Sequence, residues 1–378
     1  MANDITNVMD KLLARGLLAL REQAVMALLV NRQYESSPGS QNDTINVPTP
    51  PTVSVTAVAP SSWKNAAEPE DVAPGNVAIT LNQWNESVFY LTDKEQTEIA
   101  GRAGYLPMLA SSAIKGLAND VDGFLLSLFR KFYGVYGTVG TIPFSTSIAD
   151  ATQVRKVLNN QLCPMGDRRL VMNADAEAEA LELRAFHDAS FGVGGAAILE
   201  GQITRRLGFD WFMDQNVTTH TAGTGSGFSV NGIHAVGVKT IAVQSGSGTI
   251  LEGDIVTFDS HTQTYVATAD LSGSTLTIEP GLVSALADDE AMTAPGDTGG
   301  ITSHVMNGAF HRDSIALVTK PLAGSAHPNA LVQSAVDPIS GIALRLEFVR
   351  ENKRDRFSYD ILYGAEVIRR ELGCRLIA

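Results

Sequence analysis

The stretch Asp355–Ala378, DRFSYDILYGAEVIRRELGCRLIA, decides the fold: it reads as a strand, a turn at Tyr363-Gly364 and a basic last strand. Immediately upstream, Ile342–Arg350 (IALRLEFVR) alternates, with Leu344, Leu346 and Phe348 on a buried side and Arg345 and Glu347 on a polar one; only Val349 and Arg350 break the pattern. Asn352–Arg356 (NKRDR) is the hairpin turn between the two. Farther back, Phe310–Leu322 (FHRDSIALVTKPL) reads as one strand entering a proline stop.

Before these strands the composition shifts. Thr218–Gly300 is dense in Gly, Thr, Ser, Val and Ile and lacks a helical period. Ile233–Val243, Asp254–Asp259, Thr264–Ala269 and Thr275–Pro280 are candidate strands joined by glycine turns such as QSGSGT and DLSGST. This predicts an inserted antiparallel β module, a small barrel or sandwich. The segment before it mixes elements: helices over Ser147–Asn160 and Ala174–Phe186 flank a short buried strand, Arg168–Asn173.

Leu106–Tyr133 predicts a long helix. Leu106, Leu109, Ala113, Leu117, Val121, Leu125, Leu128 and Phe132 recur at three or four residues, with Lys115, Asn119, Asp122 and Arg130 off that stripe. At 1.5 Å per residue it would run on the order of 40 Å, although Gly116 and Gly123 interrupt its propensity. Thr92–Gly101 is a short polar helix, and Val77–Leu91 one returning strand. Asp4–Val30 carries an amphipathic period, while Asn31–Pro74 holds seven of the 15 prolines and reads as an extended loop or open hairpin. The arm is either a core helix of an ordinary domain or a helix that packs on a neighbouring subunit; an arm and a loop that both lack a local core favour partner surfaces, and in a shell subunit the loop would lie over an adjacent copy and the arm beneath one.

Size and charge bound the function. At 378 residues the chain exceeds what one core serves, and 44% apolar against 18% charged residues excludes a disordered class. A formal net charge of −13 argues against sequence-reading DNA binding. Cys163 and Cys374 have no metal-like spacing and read as reduced structural thiols. Asp10, Lys11, Arg15, Arg21 and Glu22 break the N-terminal apolar run, so no membrane segment or signal peptide is expected.

Catalytic motifs are absent: there is no GxSxG, HExxH, GxxxxGK[ST] or GxGxxG between strand and helix. FGVGGAAIL at Phe191–Leu199 lacks the Lys-Ser/Thr that a phosphate loop needs and reads as a turn. Of the histidines His187, His220, His234, His261, His304, His311 and His327, His304 and His311 could approach His220 at the root of the insertion and hold a metal; ordinary hydrogen-bonded histidines are the simpler reading. Asp175, Glu177, Glu179 and Glu182 could be a cation site, but acids early in a helix with Arg184 late match the helix dipole. Arg205-Arg206, Lys353-Arg354 and Arg369-Arg370 could meet DNA phosphates, with inter-subunit ion pairs the favoured reading; a lone Lys64 is no ground for a covalent crosslink. No catalytic, cofactor-binding or metal residue is therefore named.

Gly201–Trp211 (GQITRRLGFDW), Phe310–Leu322 and the closing strands Phe357–Ile377 together resemble the major capsid proteins of tailed double-stranded-DNA bacteriophages. The likeness is at motif level there and architectural over Asp4–Glu200. It implies an α+β tailed-phage (Johnson-type) capsid fold, with an N-terminal arm over 1–30, an extended loop and returning strand over 31–91, and spine helix and peripheral domain over 92–200. An axial domain then starts over 201–222, an antiparallel β-barrel-like domain is inserted over 223–300, and axial domain and C-terminal strands fill 301–378. Leu251–Asp259 (LEGDIVTFD) is the piece most similar to the short-tailed-phage subset that carries this insertion. The resemblance further implies a non-enzymatic shell of hexamers and pentamers enclosing packaged DNA without sequence specificity. Scaffolding and portal proteins are implied as partners, a decoration protein as a further candidate, no cofactor and no membrane, and assembly in the bacterial host cytoplasm into the virion. Many relatives carry a long cleavable N-terminal segment; here the arm starts within a few residues of Met1, which implies a separate scaffolding protein. Two alternatives stay open: an encapsulin-like nanocompartment shell, and a hydrolase with an accessory β module, which would need two carboxylates about 5 to 10 Å apart.

Overall fold

The computed structural model describes residues 11–34 apart from 15, 19 and 21–23, then 43–49, 75–95, 105–187, 201–322 apart from 202 and 204, and 324–378 apart from 326–329 and 338–339. Residues 11–20 are helical where described, and α1 (Met26–Leu29) adds one turn. Strands β1 (Thr44–Thr49), β2 (Gly75–Thr80) and β3 (Gln83–Thr92) precede the spine helix α2 (Tyr105–Ser127). Then come β4 (Gly134–Gly137), α3 (Ala149–Asn160), β5 (Arg168–Met172), α4 (Ala174–Glu182), α5 (Arg184–His187), β6 (Asp210–Met213) and β7 (Thr219–His220). Six short strands follow: β8 (Ser229–Val230), β9 (Thr240–Gln244), β10 (Ile255–Phe258), β11 (Tyr265–Ala267), β12 (Thr275–Glu279) and β13 (Met292–Thr293). The chain closes with β14 (His304–His311), β15 (Ile315–Thr319), β16 (Ala330–Val336), β17 (Ala343–Glu351), β18 (Arg354–Val367) and β19 (Gly373–Ile377).

Among the described residues three bodies form, each around one larger sheet, with the two-stranded pair β1-β2 packed on the first; the core of the first also takes in Val171, Met306 and Phe310 from the second. In the first, β18 pairs antiparallel with β3, β17 and β15, with β16 outside β17. The spine covers the inner face of this sheet. Ile114, Leu117, Ala118, Val121 and Leu125 repeat at helical spacing and bury against Leu344, Leu346, Phe348, Phe357, Tyr359 and Ile361, which alternate along β17 and β18. The helix runs unbroken through Gly116 and Gly123, because packing of the opposite stripe outweighs a propensity loss of about 1 kcal/mol each. It stops at Ser127, short of the expected Tyr133, and tightens into a 3-10 turn over Leu128–Lys131. There Phe129 and Phe132 turn onto the second sheet, over Gly308 and Gly373, where an added Cβ would come within 2.5 Å and 2.3 Å of the rings.

In the second body the strand order is β4-β19-β14-β5-β6, with α3 and α4 supplying Val154, Leu158, Ala176 and Ala180 to its core. In the third, β13-β10-β11-β12-β9-β8 form a six-stranded sheet. Met292 N–H to the Phe228 carbonyl at 3.1 Å and Val230 N–H to the Glu290 carbonyl at 2.9 Å join its two edges, so the sheet closes into a barrel around Val243, Val256, Tyr265 and Ile278. The chain leaves the second body at His220 and returns at His304, residues that pair directly as β7 and β14.

Several expectations are corrected. Tyr363-Gly364 is no turn: β18 continues to Val367, and Gly364 is required because a Cβ there would lie 2.2 Å from the Thr80 carbonyl oxygen, where β2 crosses close by. Phe310–Leu322 is two strands, not one; a 3-10 turn at Arg312–Ser314 moves the chain from the second body to the first. Val77–Leu91 likewise breaks at Leu81-Asn82 into β2 and β3, Ala174–Phe186 breaks at Leu183, and Ile233–Val243 is strand only from Thr240. The division expected at residue 200 does not follow the sheets, since β5 and β6 on either side of it are paired neighbours, and β3 belongs with β18.

The arm is the largest correction. Leu12, Leu13, Leu20, Met26, Ala27 and Leu29 lie in the same core as the spine and β17, so the apolar stripe of the described arm residues is covered by its own chain, where a neighbour's surface was expected. Backbone bonds fix this: Asn31 N–H donates to Ile315 at 3.0 Å and Leu317 N–H to Asn31 at 2.9 Å. The stems of the proline-rich span also fold back, with Val47 and Ile79 buried against Val318 and Leu362 and Lys320 paired to Asp43 at 2.9 Å. Residues 50–74 lie outside the described residues, as do Lys64, Phe191–Leu199 and His327.

Candidate functional site

The chemistry of the chain concentrates where the barrel joins the second body. β19 reads GCRLI, and its single polar residue, Arg375, is fully enclosed. Its Nε donates to the Phe132 carbonyl at 2.9 Å, Nη1 to that of Gly253 at 2.8 Å, and Nη2 to that of Arg130. One guanidinium thus ties the last strand to the end of the spine and to the barrel turn that leads into β10. Burial holds it down to about 9, with the Asp254 carboxylate nearby acting in the opposite sense.

Asp254, itself 1% exposed, receives the N–H groups of Leu251 at 2.7 Å and Gly223 at 3.1 Å, and contacts His220 Nε2 at 2.8 Å. His304 stacks near His220, ring centroids 5.5 Å apart, with Nδ1 on the Thr302 carbonyl at 2.8 Å and Nε2 enclosed and unpaired. Burial pushes the His304 imidazole down to about 4, so it is neutral at ordinary pH. This arrangement joins the barrel's stem to β14. Among the described residues no three His, Cys, Asp or Glu side chains are placed to hold a metal. His311 sits at the opposite end of β14, about 23 Å from His304 by strand rise, so the third imidazole of the imagined site is elsewhere. It caps the 3-10 turn, accepting from Asp313 N–H at 3.2 Å.

The outer face of the first body's sheet carries a charge ladder. Arg345 Nε reaches both Asp360 oxygens at 2.8 Å and 2.9 Å, Arg356 Nη2 reaches Glu347 at 2.8 Å, and Ser358 donates to Glu86 at 2.9 Å. Arg345 and Glu347, expected on a polar face, are only 7% and 8% exposed because they neutralise their neighbours and lie beneath Leu322–Ser325. With Trp84 they line a groove of about 460 Å³.

The remaining candidates fall to local structure. Asn173 caps α4, its side chain accepting from Ala176 N–H at 3.1 Å, and Asp175 and Glu177 occupy the first turn, as the helix dipole favours. Of the basic pairs, Arg205 meets Asp210 at 3.6 Å, Arg206 bonds the Ala185 carbonyl at 2.8 Å, and Arg354 pairs with Glu351 and covers the Tyr90 ring at 4.4 Å. These partners are in the same chain, which corrects the expectation of inter-subunit pairing for them. Both cysteines are free and buried, and burial raises both thiols.

Sequence reasoning missed Arg375 and Asp122. Asp122, placed off the apolar stripe by its chemistry, is fully buried and accepts the N–H groups of Val25 at 2.8 Å and Met26 at 3.1 Å, capping α1 from the spine. Burial raises its carboxyl to about 7, and nearby Asp214 adds to the shift. Both carboxylates are enclosed, Asp122 0% and Asp214 2% exposed. The usable signal in both cases was a lone charge amid apolar neighbours, which demands an internal partner. No described helix is long and apolar enough to cross a membrane.

No family model and no curated protein matches the sequence. Among solved structures, a chain from Mycobacterium phage Che8 aligns with 94% of this chain and 91% of its own length, at 15% identity and a TM-score of 0.54. A chain of the capsid of cyanophage P-SCSP1u aligns with 94% of this chain and 88% of its own, at 10% identity and a TM-score of 0.50. The mixed α+β architecture is therefore a phage capsid fold, as the resemblance implied.

Proposed function

We propose that this chain is a major capsid protein that self-assembles into an icosahedral shell of hexamers and pentamers around packaged double-stranded DNA. The observation that carries this reading is the extent of the correspondence with the phage chains, 94% of this chain in both cases, where a borrowed domain would match in part. In this reading the chain is not an enzyme, which fits the use of Arg375 and Asp122 for internal hydrogen bonds. The negative net charge suits an inner wall over which a duplex must slide. In this reading the first body is the peripheral domain, the second the axial domain and the barrel the inserted domain. Scaffolding and portal proteins are its assembly partners, a decoration protein is a further candidate, and the chain assembles in the host cytoplasm and ends in the virion.

Electron microscopy of the purified chain, alone and with a scaffolding protein, tests this. Closed shells of uniform size are expected, and a chain that stays monomeric under both conditions overturns the reading. Particles that exclude nucleic acid and enclose protein instead would point to a nanocompartment shell.

A further inference from the structure

We infer that the turn at residues 161–167, QLCPMGD, is a contact point for a second copy of this chain; the inference rests on the shell reading above. α3 ends in this turn with Leu162 N–H on the Asn159 carbonyl at 3.1 Å and Cys163 N–H on that of Leu158 at 3.0 Å. Leu162 adopts φ +59°, the left-handed conformation that glycine or asparagine ordinarily supplies at a helix end. A leucine there is strained, and its side chain recovers nothing within the subunit, because it is 88% exposed. Met165, three residues on, is 67% exposed.

The turn is nevertheless held rigidly. Arg168, 2% exposed, donates from Nε to the Pro164 carbonyl at 2.7 Å and from Nη2 to that of Cys163, while the Cys163 side chain points inward. A buried cation therefore fixes the backbone from below and presents two large apolar side chains to solvent. Strain, exposure and rigidity together fit a docking tip better than a solvated loop.

The size of the tip selects its occupant. Two side chains supply a small fraction of the roughly 1,200 Å² that a stable two-body interface buries. The tip cannot retain a partner alone; it suits one already held by many simultaneous contacts, as the next copy in a closed ring or shell is.

The test uses the full-length chain and the variants Leu162→Asn, Leu162→Gly and Met165→Ser, with assembly followed by light scattering and microscopy across concentration, and folding by thermal melting. Asn and Gly suit the left-handed backbone, so both Leu162 variants are expected to melt no lower than wild type while the concentration for half-assembly rises about tenfold, the scale of one lost apolar side chain per contact. Met165→Ser, which leaves the strained position untouched, is expected to raise it as well. Variants that fold and assemble at the wild-type concentration overturn the inference and leave the shell reading intact. Impairment seen only with the scaffolding protein present would make that protein the occupant and equally overturn it. A wild-type chain that forms no shells removes the reading on which the inference stands.

Discussion

The enclosed guanidinium of Arg375 donates to the backbone carbonyl of Gly253 at 2.8 Å, so β19 of the second body holds the barrel turn that leads into β10. Replacing Arg375 with methionine keeps the apolar volume and strips the donors from three buried carbonyls. A loss of about 3 kcal/mol in urea unfolding is expected, with Arg375→Lys in between because a single ammonium cannot span all three. A variant as stable as wild type would refute the role of the staple.

His304 makes stability pH-dependent. Its folded value lies near 4, below the ordinary imidazole range, so on acidification the unfolded chain takes up a proton that the fold refuses. Stability is therefore lost as pH falls from about 6.5 toward 4, by roughly 3 kcal/mol. Unfolding curves of His304→Gln should show a flatter dependence in that window.

Asp122 acts with the opposite sign. Its carboxyl, raised to about 7, stays protonated in the fold where the unfolded chain has released the proton, so this group favours the fold increasingly as pH drops from about 7 to 4. Asp122→Asn keeps an acceptor for α1 and should remove this dependence with a change under about 1 kcal/mol at pH 8, whereas Asp122→Leu strands two N–H groups and should lose about 2 kcal/mol or more. Protease sensitivity of residues 11–30 would report whether the arm has come loose.

Gly364→Ala should be costly although the position is in a regular strand. The added methyl would sit 2.2 Å from the Thr80 oxygen, forcing β2 away from β18 at a cost of about 1–3 kcal/mol. The melting temperature checks this, and an unchanged value would mean that β2 yields freely.

The barrel should fold by itself. Its core is separate from those of the other two bodies apart from the small contact of Tyr133 with Ile255 and Val266, and its ends meet at His220 and His304. A fragment of residues 221–303 is expected to melt cooperatively; a fragment lacking dispersed amide resonances in solution would contradict this.

Where periodicity mirrors burial on one element, the sequence was readable: the spine from its apolar stripe, α3 and α4, and four of the barrel strands. What escaped depended on distant residues. The continuation of β18 through Gly364 follows from the approach of Thr80, far away in sequence, which no local turn rule contains. The arm's amphipathic period was visible, but whether its apolar stripe would cover its own spine or a neighbour's depended on the space between Ile114, Leu344 and Tyr359, into which Gly16 fits. Likewise Arg345 and Glu347 alternate as solvent-facing residues do, yet are enclosed where Asp360 stands opposite Arg345 on β18, Arg356 reaches Glu347 diagonally and Arg345 bonds the Gly324 carbonyl.

The placement of β19 between β4 and β14 bears on the timing of biosynthesis. Its partners are translated long before it, and while residues 373–377 remain in the ribosomal tunnel the middle of that sheet is an open slot. The second body can therefore finish only once they emerge, so its sheet is among the last parts of the chain to close.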